Sequence, residues 1–185
     1  MNSMKIKEKL PSIHQIAPVL AVTAIMHYGW TTYRFIQKLP SWLLFLNFRE
    51  ILSNYAQTLV FNLAEVLLFI SIIVVINLLL PRKLFMNMFI ARGSLLASLS
   101  LGYLVYLALS IGQSKLSDFP WRIFQWAPLV TLVIFLLAIF LPYVALVRKI
   151  VEDLADRAII ILYVLVPLTG LGLLLFLYNV LVHLA

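Results

Sequence analysis

The chain has 185 residues, of which 64% are hydrophobic and 11% are charged, and its mean hydropathy is +1.06. Soluble domains carry about 25% charged and about 45–50% apolar residues. A soluble fold of this length also exposes too much surface to hide such a composition. The sequence therefore predicts a polytopic membrane protein.

The net charge of +7 and the absence of cysteine narrow the chemistry further. Lys and Arg gather between the apolar runs, where membrane topology requires them, so we expect no nucleic-acid partner. Without cysteine the chain itself has no disulfide, no thiolate metal site and no iron–sulfur ligand.

Five apolar runs meet the length of about 20 residues that a helix needs to cross the hydrocarbon core. They cover residues 16–33, 58–80, 94–113, 126–147 and 158–184. The runs are apolar on every face, unlike the alternating strands of an outer-membrane barrel, so helices are expected. The basic start before the first run is typical of a signal peptide. That run is longer than a signal core and ends in aromatic residues, which favours a retained anchor.

Two connections between the runs predict additional helix. Pro40 and Ser41 form a good helix start with Ser41 as the cap. Residues 41–55 then mix apolar and polar side chains, which favours a helix lying in the outer interface. This helix either covers the mouth of the bundle or docks a partner. Residues 148–157 have helical spacing and predict an extension of the fourth or fifth span. The expected fold is all-α: five transmembrane helices and one interfacial amphipathic helix in a single membrane domain, 1–185.

The distribution of basic residues predicts the orientation. With the N-terminus in the cytoplasm, the inside segments hold nine Lys and Arg residues and the outside segments hold five. This bias favours a cytoplasmic N-terminus and an outside C-terminus.

Glu65 is the most informative residue, because a carboxylate inside an apolar run is costly unless it is paired, protonated or hydrated. Asn62 lies one turn earlier in the same run. His27 in the first run and Glu65 in the second both lie roughly 10 Å below the outer boundary, so a contact between them is feasible. Thr23 and Thr31 share the helical face of His27. The alternatives are a structural polar seam and a site for a proton, ion, substrate or cofactor.

A ribbon of small residues in the third run predicts close helix packing. Ser94, Ser98 and Gly102 are spaced four residues apart, and small side chains let membrane helices approach closely. The neighbouring helix belongs either to this chain or to another subunit.

A cofactor has little support in the sequence. His27 and His183 both fall toward the outer side, and two histidines from different helices can ligate a haem iron. Their depths differ, however, so we expect no haem and no metal. No phosphate-binding, metalloprotease or nucleophile motif is present.

Three function classes remain, and the first is favoured. It is a non-catalytic structural or accessory subunit of a larger complex in the cell (inner) membrane, with other membrane subunits and the lipid bilayer as partners. The second is a small transporter or channel component that uses Glu65. The third is a membrane enzyme acting on a lipid or quinone, which would need more polar groups at one interface.

Overall fold

The computed structural model describes residues 10–82, 84–113 and 121–184, with side chains at 112–113, 121–124, 179–180 and 182–184 left aside. Throughout these ranges the fold is helical, without β-strands. The helices are α1 (Ile13–Phe45), α2 (Phe48–Leu79), α3 (Phe89–Gln113), α4 (Trp121–Phe140) and α5 (Ala145–Leu184). Short 3₁₀ turns at Met86–Met88 and Leu141–Tyr143 precede α3 and α5.

Four helical segments of the described chain are long and apolar enough to cross a membrane. They are Phe48–Leu79, Met86–Ile111, Gln125–Tyr143 and Ala145–Tyr178. α1 falls outside this group although it spans 33 residues. The polar cluster around His27 and Thr31 lowers its hydropathy, so the expected count of five spans is not established by composition.

The expected interfacial helix at 41–55 is not a separate element, which corrects the sequence interpretation. α1 continues through Pro40 and Ser41 to Phe45, and α2 begins at Phe48. The chain reverses at Asn47, whose backbone N–H donates to Oε2 of Glu50, in the first turn of α2, at 2.8 Å. An Asn followed three residues later by Glu is a helix-start signal, and it decides the boundary in place of Ser41.

α5 is longer than any single span needs. Its 40 residues correspond to about 60 Å, against a hydrocarbon core of about 30 Å. The charged segment 148–157 forms its first turns, so the predicted extension belongs to the fifth run and not to the fourth. Arg148 donates to Glu152 Oε1 at 2.9 Å within this segment. The fourth run ends as helix at Phe140, before the expected boundary at 147.

α1 lies at the centre of the bundle and packs against α2, α3 and α5. We call the end that carries the α1–α2 turn the Asn47 end and the opposite end the Pro81 end. Near the Pro81 end a buried apolar cluster joins the first four helices through Val19, Ile73, Phe89, Ala97 and Ala138. A smaller cluster nearer the Asn47 end includes Ala24, Tyr28, Leu59 and Val66. These contacts hold the polar residues of α1 against α2.

Candidate functional site

His27 and Glu65 meet across the α1–α2 interface, as the comparison of their depths predicts. His27 Nε2 lies 3.9 Å from Glu65 Oε2. The His27 ring also contacts the edge of Phe69, with ring centroids 6.0 Å apart. Phe69 is one turn from Glu65, so the imidazole sits between an aromatic ring and a carboxylate of the same helix.

A hydrogen bond within α1 orients the His27 ring. His27 Nδ1 is 3.2 Å from the Thr23 carbonyl oxygen. Since a carbonyl only accepts, Nδ1 carries a proton, and in the neutral ring Nε2 is then an acceptor. The Nε2 atom faces Glu65 at 3.9 Å, which is longer than a hydrogen bond, so the two groups are close neighbours across the interface without a direct bond.

Asn62 belongs to the interior of the interface and does not pair with Glu65. Its side chain is buried, and its Oδ1 accepts a hydrogen bond from Thr31 Oγ1 at 2.9 Å. Its Nδ2 has no hydrogen-bond partner among the described residues. Residues three apart on a helix differ by about 60° in direction, which is enough to separate a buried Asn62 from a Glu65 at the rim.

Glu65 lies at the rim of the interface with its side chain 64% exposed, whereas the His27 side chain is only 14% exposed. The helix that carries it is the most apolar of the candidate spans. His27 and Thr31 of the polar face of α1 contact α2, whereas the Glu65 carboxylate extends beyond the buried part of the interface. The sequence predicts the position of Glu65 along the membrane but not this outward direction.

The small-residue ribbon of α3 is buried at its start, and the adjacent Gly93 makes the close approach to α1. Ser94 is buried and Ser98 is half-buried, but Gly102 is exposed and a Cβ there would meet no atom within 4 Å. A Cβ on Gly93 would instead lie 3.0 Å from Val19 Cγ1. Within this chain the packed row passes through Gly93, and Gly102 stays available only to a neighbour outside the described chain.

A hydroxyl junction ties three helices together nearer the Asn47 end. Tyr28 Oη of α1 lies 2.8 Å from Thr169 Oγ1 of α5 and 3.3 Å from the Leu59 carbonyl oxygen of α2. One turn further along α5, a Cβ on Gly172 would lie 3.2 Å from the Ala56 carbonyl oxygen. The glycine allows the backbones of α5 and α2 to approach. The Tyr28–Thr169 contact fixes the register of α5 against α1.

Arg92 is a buried cation. The sequence pattern marks it only as one of the basic residues that predict the membrane orientation. Its side chain is 1% exposed, and its Nε donates to the Ile139 carbonyl oxygen at 3.2 Å. The guanidinium carbon lies 5.1 Å from the centroid of the Tyr143 ring. Ile139 is in the last turn of α4, where carbonyls lack helical partners and a cation is favoured. Arg92 therefore joins the start of α3 to the end of α4.

Two cavities among the described residues lie away from Glu65. A groove of about 470 Å³ between α1 and α5 is lined by Tyr28, Thr32, Tyr33, Tyr55 and several apolar side chains. A second cavity of about 300 Å³ lies at the Pro81 end beside Tyr143 and Arg148. Neither is lined by His27, Asn62 or Glu65. The side chain of His183, the alternative haem ligand, lies outside the described residues.

The chain matches no family model, no curated protein and no solved structure. A function for it consequently has to be argued from the residues above. The feature with the greatest chemical content is the His27–Glu65 pair, because it places ionisable groups within an apolar part of the bundle.

Proposed function

We propose that this chain is a non-catalytic subunit of a larger complex in the cell membrane. The observation that carries the proposal is the Glu65 carboxylate, 64% exposed on the most apolar helix. A carboxylate at the hydrocarbon core costs several kcal/mol when it faces lipid. A neighbouring polypeptide that covers the rim of the α1–α2 interface removes this cost.

The distribution of the other polar groups supports the same function. Thr31 and Asn62 bond to each other, Tyr28 bonds to Thr169, and Arg92 bonds to the Ile139 carbonyl. These contacts connect helices, so the side chains that make them have a structural role. Few other polar side chains among the described residues are placed to act on a substrate. The exposed Gly102 on α3 adds a second surface on which a membrane helix can approach closely.

A small transporter or channel component is the second candidate, and the His27–Glu65 pair favours it. Two ionisable side chains 3.9 Å apart within an apolar part of the bundle are of the kind that proton and ion pathways use. The cavities beside Tyr55 and Tyr143 do not reach this pair. A pathway for protons would therefore have to pass along the exposed side of Glu65, where a partner is also required.

We propose that α1 crosses the membrane as a fifth span, with the Pro81 end in the cytoplasm. Neighbours on three sides shield α1 from lipid, so it tolerates more polar residues than a lipid-facing helix. Its 33 residues extend about 50 Å, which exceeds the hydrocarbon core. The excess of Lys and Arg in segments at the Pro81 end supports the orientation.

A reporter that is active only outside the cytoplasm tests this topology. We expect activity when it is fused after Ala185 and none when it is fused between Leu80 and Gly93, because the positive segments remain inside. A reporter active at both positions, or a reversed pattern, contradicts the topology. A cytoplasm-active reporter at the same two positions is the control and should give the opposite result.

Purification from native membranes in mild detergent tests the subunit proposal. The tagged chain should elute with other membrane polypeptides in a constant ratio, in a particle larger than its own mass of 21.1 kDa plus detergent accounts for. The ratio should survive a second purification through a tag on the associated polypeptide. A solitary, monodisperse and folded chain would contradict the proposal and favour the transporter alternative.

A further inference from the structure

One face of α2 has no covering helix within the described chain. Its residues follow a spacing of four and three, which is the repeat of a seam between two packed helices. We call this row the Glu65 stripe; it consists of Phe61, Glu65, Leu68, Ile72, Val75 and Leu79. All six side chains are exposed, from 47% at Ile72 to 79% at Leu79.

The apolar members of the Glu65 stripe suit lipid and a partner helix equally, because acyl chains are as apolar as leucine. Glu65 distinguishes the two, since a carboxylate has no favourable neighbour among acyl chains. Its ionisable neighbour among the described residues is His27, which approaches from the α1 side at 3.9 Å. The outward side of the carboxylate needs a donor that none of the described residues supplies.

We infer that the Glu65 stripe binds a transmembrane helix of another subunit that carries one Lys or Arg opposite Glu65. This inference rests on the proposed function as a subunit. A basic side chain at that depth would neutralise the carboxylate, and each of the two charged groups would shield the other from lipid. The apolar residues toward Leu79 would pack against the same helix at the shallow crossing angle common in membrane bundles.

A second copy of this chain fits the Glu65 stripe less well. A two-fold contact places the same patch of both copies face to face. The two Glu65 carboxylates would then oppose each other, and one of them would have to hold a proton. Charge complementarity therefore favours a different polypeptide with a basic residue.

Three synthetic membrane-spanning peptides provide the test. Each has a Leu–Ala helix, with Lys, Leu or Glu at a position about 10 Å below one membrane boundary, the depth of Glu65. The full chain has no cysteine, so a Ser41→Cys variant takes a single fluorescent label. Energy transfer between the labelled chain and each peptide is measured in phosphatidylcholine vesicles at pH 7.

We expect the wild-type chain to bind the Lys peptide about tenfold more tightly than the Leu peptide, the size of a favourable polar contact between membrane helices. Glu65→Gln should reduce that preference to about twofold, because the charge is lost. Glu65→Lys should reverse it and select the Glu peptide. Glu152→Gln is the matched control, since it makes the same change in an ion pair at the Pro81 end, and it should retain the wild-type preference.

Equal binding of the three peptides to the wild-type chain overturns the inference, and so does a preference that survives Glu65→Gln. Self-association of the wild-type chain that depends on Glu65 overturns it in favour of a second copy. The failure of the inference is distinct from failure of the subunit proposal. A native complex of constant composition together with no peptide preference rejects only the Glu65 stripe, whereas a solitary native chain rejects the subunit function.

Discussion

Replacing Gly172 by Leu is expected to abolish the packing of α5 against α2. A Cβ at this position already lies 3.2 Å from the Ala56 carbonyl oxygen and 3.5 Å from Leu59 Cβ. The remaining atoms of a leucine side chain would push the two helices apart and separate Tyr28 from Thr169. We expect a loss of about 3 kcal/mol or more in unfolding free energy, at the upper end of overpacking effects. Reversible SDS titration in mixed micelles, followed by circular dichroism, measures it.

Gly170 is a matched control in the same helix. A Cβ at Gly170 would meet no atom within 4 Å, so Gly170→Leu should change the unfolding free energy by no more than about 0.5 kcal/mol. Gly172→Ala should have an intermediate effect, because a single methyl requires a shift of only a few tenths of an ångström. Similar stability of the two leucine variants would show that α5 and α2 are not in close contact at Gly172.

Replacing Arg92 by Ala is expected to have the second large effect. The side chain is fully buried, donates to the Ile139 carbonyl and lies over the Tyr143 ring. Truncation removes these contacts, leaves a cavity and deprives the end of α4 of a donor. A loss of about 3 kcal/mol in unfolding free energy follows from large-to-small changes at buried sites. The same SDS titration applies, and helix content near the denaturation midpoint reports whether α3 and α4 separate early.

Two further variants separate the charge of Arg92 from its volume. Arg92→Met keeps most of the length but removes a desolvated charge, so its cost should stay near that of one hydrogen bond, about 1 kcal/mol. Arg148→Ala is the control, because Arg148 is 44% exposed and pairs with Glu152 at the surface. Surface pairs contribute about 0–1 kcal/mol. Equal losses for Arg92→Ala and Arg148→Ala would contradict a structural role for the buried guanidinium.

Local patterns predicted the helical class and part of the polar seam. Apolar runs of about 20 residues predict membrane-spanning helices, and four helices among the described residues are long and apolar enough to cross a membrane. The proximity of His27 and Glu65 was predicted by counting residues from the shared end of the two helices. Antiparallel neighbouring helices bring residues at equal distances from that end together. Their 3.9 Å separation agrees with that argument.

The helix boundary lies at Asn47 and not at Ser41, the cap that the local sequence predicts. Pro40 and Ser41 have the composition of a helix start, but the helix continues through them to Phe45. Asn47 and Glu50 supply the reciprocal cap that starts α2. The segment 41–55 is consequently shared between the end of α1 and the start of α2. Its mixed polarity is that of two helix ends and not of a separate amphipathic helix.

By itself, the sequence determined the helical class, the apolar runs that are long enough to cross a membrane, and the position of Glu65 along its helix opposite His27. Only the tertiary structure decided which side chains of each helix face a neighbouring helix and which are exposed. A shift of one residue rotates a side chain by about 100°, so Gly93 meets Val19 of α1 whereas Gly102, further along the same helix, meets no atom of the described residues. The same geometry buries Asn62 and Arg92 but exposes Glu65. The position of a residue along a helix follows from the sequence of that helix. Its burial depends on where the other helices pack, which is determined by residues throughout the chain.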